Sequence, residues 1–195
     1  GVQVKGVLAG NPESTKIGAK KLLVDQAYGS LEQMCEDKDV TVVHVTSTNA
    51  LHYVQVKQLL NAGKHVVCEK PLALSAQEGK ELVDLAKKTG LIHATCFNTR
   101  FYPMVHEAKH LISQKLIGAP RYVKGHYHQD WLTLDTDWNW RLESEKAGQL
   151  RAVADIGSHL IDQIGFVTGL KVTEVFADLH TLVPIRQKPT GPVQT

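Results

Sequence analysis

His65-Val66-Val67-Cys68-Glu69-Lys70-Pro71 (HVVCEKP) is the stretch that decides the fold. Val66 to Cys68 read as a short buried strand. It ends in an acid, a base and a proline, where any turn residue would have served. A carboxylate and an ammonium at the carboxyl end of a strand, with a ring fixing the next turn, mark the edge at which parallel sheets bind ligands.

The flanking sequence agrees with a parallel strand. Upstream, Val40, Val42, Val43 and Val45 form a nearly continuous β-branched run, the pattern of a strand buried on both faces. A helix is expected from Ala50 to Ala62, closed by Gly63 as a left-handed cap. Downstream, Ser75 and Glu78 make a capping-box pattern that opens a helix ending near Gly90, followed by a strand from Ile92 to Phe97. Nearer the start, Val2 to Ala9 reads as a strand, Gly10-Asn11-Pro12 as a turn, Glu13 to Leu23 as a helix, and Ser30 with Gln33 as the cap of a short helix to Glu36. Short strands alternating with amphipathic helices predict a doubly wound parallel sheet of α/β class. Right-handed crossovers put every strand's carboxyl end on one edge, so Asn49, Glu69, Lys70 and Asn98 are expected there together.

The texture changes near residues 100–103. A helix is expected from Met104 to Leu116, and alternating stretches at Arg121–His128 and Val172–Val183 predict antiparallel strands. Between them lie an aromatic loop, Trp131 to Trp140, and a strong helix over Val153–Val167. The expected organisation is a nucleotide-type domain over 1–102 and an α/β domain with a mostly antiparallel open sheet over 103–195. The tail from Gln187 to Thr195, rich in proline and glycine, is expected to be irregular. There is no G-x-G-x-x-G, and the first strand resembles the second strand of a nucleotide fold. A fragment lacking a strand, glycine loop and helix in front, and sheet behind, is the expectation.

Composition narrows the function. The 195 residues carry 22 basic and 20 acidic side chains, a formal net charge of +2, which gives no reason to expect nucleic acid or an acidic membrane surface. No apolar run approaches the ~20 residues of a membrane span, and no signal peptide begins the chain. Cys35, Cys68 and Cys96, widely spaced and odd in number, read as reduced cysteines of a cytoplasmic protein.

In the later helix, Val153, Ile156, Leu160, Ile164 and Val167 form a core stripe, while Asp155, His159 and Asp162 share another side. Asp155 stands one turn from His159, close enough to fix an imidazole tautomer and make it a better base. A solvated face is the plainer reading, and it is the one expected for Asp162. Lys70 alone also reads as surface. In combination, an ammonium at a sheet's ligand edge can stabilise a developing alkoxide while a His–Asp pair removes the proton. Hydride transfer from an alcohol carbon to nicotinamide needs that division of labour.

These segments resemble the glucose–fructose oxidoreductase / inositol dehydrogenase (Gfo/Idh/MocA) family. AGKHVVCEKPLAL is similar to its signature, STNALH (Ser47–His52) to its T-P-N-x-x-H, NTRFYP (Asn98–Pro103) to its N-x-R-F-x-P, and DIGSH (Asp155–His159) to its D-x-G-x-H. The resemblance implies an NAD- or NADP-dependent oxidoreductase acting on a sugar, polyol or related secondary alcohol. It implies a Rossmann first domain and a second domain whose open sheet makes a homo-oligomer, a dimer or tetramer. By the same resemblance Lys70, His159 and Asp155 are the catalytic set. Asn49, His52, Glu69, Lys70, Pro71, Asn98, Gly10, Asn11, Trp140 and Arg141 line the cofactor, and Arg100, His126, His128 and Trp138 the substrate. A cis Lys70–Pro71 bond is also implied.

The departures leave questions open. Thr48 stands where the family has proline, which predicts a looser turn. The acid that would hold the ribose hydroxyls of NAD is replaced by Ala9-Gly10-Asn11, so NAD and NADP both stand. The tryptophans of the aromatic loop suit either sugar faces or packing. His126, His128 and Asp130 alternate, but nothing else supplies a zinc-like ligand set, so no metal is expected. Two other functions share these features: an NAD-dependent glycoside hydrolase and a non-enzymatic nucleotide-sensing or scaffold protein.

Overall fold

The structure, a computed structural model, describes residues 1–191, so the last part of the expected irregular tail lies outside the described residues. The chain divides into two compact units, Gly1–Cys96 and Phe97–Thr195, the division falling a few residues before the expected one.

In the first unit the parallel α/β pattern is present. Strand β1 (Gly6–Val7) leads through helix α1 (Pro12–Leu22) to β2 (Gln26–Ala27), which pairs parallel with it. Gly6 is required here, because a Cβ would lie 2.5 Å from the Gln26 carbonyl oxygen. Helix α1 starts where the Asn11 side chain accepts from the Ser14 N–H at 2.8 Å, with Pro12 in its first turn. After α2 (Leu31–Glu36) come β3 (Val42–Val45), α3 (Asn49–Asn61), β4 (His65–Cys68), α4 (Ala76–Thr89) and β5 (His93–Thr95). The last three strands pair parallel in the order β3-β4-β5, and β1 and β2 form a separate pair. Helix α4 carries the predicted capping box of Ser75 and Glu78 and ends on Gly90 at φ 68°.

The buried face of the three-stranded sheet presents Val43, Val45, Val66 and Cys68 to Val56, Leu59 and Leu60 of α3 and to Leu82 and Ala86 of α4. Each buried leucine or valine contributes about 1.5–3 kcal/mol of transfer free energy. The opposite face corrects the reading of a strand buried on both sides, since Val42 is 47% exposed. Among the described residues, helices cover this sheet on one face only. The buried Lys64 ammonium closes the lower edge by donating to the carbonyls of Asp37 (2.6 Å) and Val40 (2.8 Å).

In the second unit a 3-10 turn (Asn98–Phe101) precedes helix α5 (Pro103–Ser113), which packs with α7 (Ser158–Thr168). The contact is partly aromatic: the rings of His106 and Phe166 are 5.5 Å apart and the Lys109 ammonium lies 3.7 Å from the Phe166 centroid. A second 3-10 turn (Trp140–Leu142) and the short α6 (Ser144–Ala147) follow the aromatic loop. The expected single helix over Val153–Val167 is a π-helical turn (Val153–Gly157) running into α7, which Gly169 ends at φ 72°.

The expected antiparallel strands are not formed: among the described residues no strand follows β5. Residues 121–128 and 172–183 run largely exposed and without ladder partners. Alternation equips a segment for one buried face, but a strand is held by its neighbours' hydrogen bonds, and here no described segment supplies them.

Candidate active-site residues

The turns after β3 and β4 carry the first group. His52 ties them together. Its ring is 0% exposed, with Nδ1 2.6 Å from the Pro71 carbonyl oxygen and Nε2 3.1 Å from that of Ser47. A ring N–H on either side donates to the carbonyl it faces, so the imidazole spans the two turns. The effect is a brace: the turn that bears Asn49 is fastened to the turn that bears Lys70. Asn49 is buried at the first position of α3, and Lys70 is half-buried just past β4. The Lys70–Pro71 bond is cis, as the resemblance implied. Thr48 precedes α3 without a side-chain cap, but its carbonyl accepts from the Leu51 N–H at 2.9 Å, and the Ser47 hydroxyl donates to Gln55 at 2.7 Å, so the turn is closed without proline.

Glu69 lies at the same strand end, and its carboxylate accepts from the Lys70 N–H at 3.3 Å. Below it Cys68 is fully buried, which pushes its thiol up to about 12. At the end of β1, Gly10 is exposed and a Cβ there would meet nothing within 4 Å. Asn11 is committed to capping α1. The turns after β3 and β4 thus place a carboxamide and an ammonium at neighbouring parallel strand ends, the edge at which such sheets bind ligands.

The second unit holds the other group. His159, buried near the start of α7, stacks on Tyr127 (16° between planes, 6.1 Å between centroids) and meets Phe97 edge-on at 5.8 Å. Gly125 allows this, since a Cβ there would come within 3.0 Å of Leu160 on α7. Tyr127 went unnoticed in the sequence between His126 and His128. Those two are exposed, their rings 4.9 Å apart.

Asp155, on the π-helical turn, is ion-paired with Arg141 at 3.4 Å. The Arg141 guanidinium in turn lies 4.5 Å from the Trp140 ring centroid and 5.9 Å from that of Trp131. Trp138 is approached by the Lys188 ammonium at 5.1 Å. The loop is laced by Arg186, which donates to the carbonyls of Leu132 (2.8 Å), Leu134 (2.6 Å) and Asp137 (3.2 Å). A lone arginine just ahead of the proline- and glycine-rich tail gave no signal of that role.

Arg100 is committed within this unit. Its guanidinium makes a two-pronged pair with Asp162 and lies 5.0 Å from the Phe166 ring centroid. Hydrogen bonding to Asp162 holds its pKa above the ordinary value against the opposing effect of burial. Asp162, expected on a solvated face, is thus the partly buried anchor of Arg100. Asn98 is exposed in the preceding turn.

The sequence and fold have relatives. Residues 1–97 match the model of an oxidoreductase family with an NAD-binding Rossmann fold, and residues 105–192 match the GFO/IDH/MocA C-terminal domain. Levoglucosan dehydrogenase of Pseudarthrobacter phenanthrenivorans is 32% identical over 188 residues, 96% of this chain and 48% of that protein. Trans-1,2-dihydrobenzene-1,2-diol dehydrogenase of Xenopus laevis is 32% identical over 165 residues, 85% of this chain and 48% of that protein. A solved levoglucosan dehydrogenase, in complex with NADH and levoglucosan, superposes with a TM-score of 0.81 at 32% identity, covering 85% of this chain and 45% of that one. The chain spans about half the length of the curated relatives it matches. No helix among the described residues is long and apolar enough to cross a membrane. With both halves matched by the two domains of one group, the chain belongs to the GFO/IDH/MocA oxidoreductase family.

Proposed function

We propose that the protein to which this chain belongs is an NAD- or NADP-dependent dehydrogenase of a secondary alcohol in a sugar, polyol or related small molecule. The observation that carries the reading is the braced pair of turns after β3 and β4. It presents the buried Asn49 and the half-buried Lys70 at parallel strand ends of a chain whose first half matches an NAD-binding fold. The relatives named above act, by their names, on an anhydrosugar and on a cyclic diol, which share a ring carbon bearing a hydroxyl. Neither is a glycosidase or a scaffold.

In the proposed step His159 takes the hydroxyl proton, Asp155 supports it, and Lys70 steadies the oxygen as negative charge develops. Nicotinamide, when bound, supplies the hydride acceptor. Arg141 holds Asp155 in place through its ion pair. Trp138, His126 and His128 are proposed to face the sugar, with Arg100 acting through Asp162 rather than by direct contact. Assembly as a homo-oligomer is part of the same proposal.

The test is a dehydrogenase screen of the full-length protein with sugars and polyols, using NAD and NADP in parallel. A substrate that yields net reduced nicotinamide is expected. His159→Ala and Lys70→Met should each lower turnover by about 10²–10⁴-fold, the usual scale for an acid–base group, with cofactor affinity largely kept. Wild-type turnover in either variant would remove that residue from the mechanism. Sugar release without net reduced cofactor would instead favour hydrolysis.

A further inference from the structure

We propose that His44, Glu69 and Cys96 form a binding site for a zinc-type divalent ion on the open face of the β3-β4-β5 sheet. The site shares Glu69 with the residues expected to line the cofactor, and it departs from the expectation, drawn from the sequence, of no metal.

Register builds the cluster. His44 pairs with Val67 across β3 and β4, and Val67 pairs with Ala94 across β4 and β5. Side chains alternate along a strand, so Glu69 and Cys96, each two residues farther on, share the face of His44. That is the face on which Val42 is exposed, opposite the core formed by Val43, Val45, Val66 and Cys68. The backbone beneath is held in place: the Glu69 N–H donates to the Val45 carbonyl and the Cys96 N–H to the Cys68 carbonyl, each at 2.9 Å.

The donor atoms converge as a zinc ion requires. One atom from each residue, an imidazole nitrogen, a carboxylate oxygen and a sulfur, lies within 4.8 Å of the others. His44 Nε2 and Cys96 Sγ are 3.4 Å apart. Zinc bonds of roughly 2.0–2.1 Å to nitrogen and about 2.3 Å to sulfur, set at a tetrahedral angle, put those two atoms about 3.5 Å apart. The pair therefore needs almost no movement to take an ion. A mixed nitrogen, oxygen and sulfur set selects zinc over magnesium or calcium, which take oxygen ligands. On binding, the Cys96 thiol gives its proton to solvent and coordinates as thiolate, leaving one tetrahedral position for water. Ligands 25 and 27 residues apart in sequence match no short zinc motif, so only the sheet register reveals them.

The experiment uses metal-stripped full-length protein titrated with Co²⁺, then with Zn²⁺ against a competing chelator. One equivalent of Co²⁺ should raise a near-ultraviolet thiolate-to-cobalt band, and one equivalent of Zn²⁺ should remove it. Cys96→Ser should abolish the band, and His44→Gln should weaken Zn²⁺ binding at least tenfold. Cys35→Ser, which alters a thiol on α2, should change neither. His44 is exposed, so His44→Gln tests the site even where Cys96→Ser perturbs the sheet, and far-UV circular dichroism reports that perturbation. Absence of a thiolate band in the parent protein would overturn the proposal. So would Zn²⁺ affinity in folded His44→Gln equal to that of the parent.

Discussion

Replacing His52 with alanine should loosen the candidate site and the first unit together. The ring is fully buried, with its two nitrogens 2.6 and 3.1 Å from carbonyl oxygens on different turns. Two losses add. Truncating a large core side chain costs on the order of 2–5 kcal/mol where the site cannot collapse. The carbonyls of Pro71 and Ser47 also lose the ring N–H that faces them, and a buried acceptor without a partner costs about 1–3 kcal/mol. The terms overlap, because a water entering the cavity satisfies the carbonyls, so about 3–5 kcal/mol is expected. Urea unfolding followed by far-UV circular dichroism measures it. With a slope of about 2 kcal/mol/M, the midpoint of the first unit's transition should fall by about 1.5–2.5 M. His52→Gln keeps one amide donor and should recover part of the loss. Dinucleotide affinity should also weaken in His52→Ala, yet stay near normal in Leu59→Ala, a buried truncation away from the turns. A destabilisation below about 0.5 kcal/mol, or equal affinity loss in both variants, would refute the brace.

Two further outcomes follow from local geometry. Arg100→Ala leaves the largely buried Asp162 carboxylate without its partner and should lower the thermal midpoint of the second unit. Removing both charges in Arg100→Ala/Asp162→Ala should restore part of it, and a double variant no better than the single would count against the pair. Tyr28 is buried with its hydroxyl donating to Asp37 at 2.7 Å, and burial followed by that bond raises its pKa from 10.0 to about 12. A group whose pKa is raised on folding adds stability that is complete below pH 10.0 and lost as pH climbs toward about 12. Tyr28→Phe should therefore cost about 1 kcal/mol near neutrality and flatten the alkaline loss in a pH series of urea midpoints; an unchanged alkaline limb would sink this account.

Much of the first unit was legible because its signals are local. Val42, Val43 and Val45 announce a strand, Ser75 with Glu78 announces a helix start, and Gly90 its end. What escaped is what depends on partners. The Val40–Val45 run looked doubly buried because periodicity records which residues tolerate burial, not what covers them. The stretches at 121–128 and 172–183 alternate like strands but have no described neighbour to complete a ladder. The candidate site residues divide in the same way. Lys70, Asn49 and His159 stand at positions that strand ends and helix phase identify. For His52 the resemblance implies a cofactor-lining place, and what the sequence does not show is its full burial and its contacts to carbonyls on two turns. Tyr127, Arg186 and the His44–Glu69–Cys96 cluster act through contacts between segments far apart in sequence, and no spacing rule points to them.

The dehydrogenase reading reduces to where one hydrogen goes. A sugar or polyol substrate found in the screen should be prepared with deuterium on the carbinol carbon and turned over by the full-length protein with unlabelled oxidised cofactor. Mass spectrometry of the recovered dinucleotide should show one deuterium on the nicotinamide ring, matched in amount to the ketone formed. Deuterium lost to water or kept on the sugar product, with unlabelled cofactor, would contradict the account.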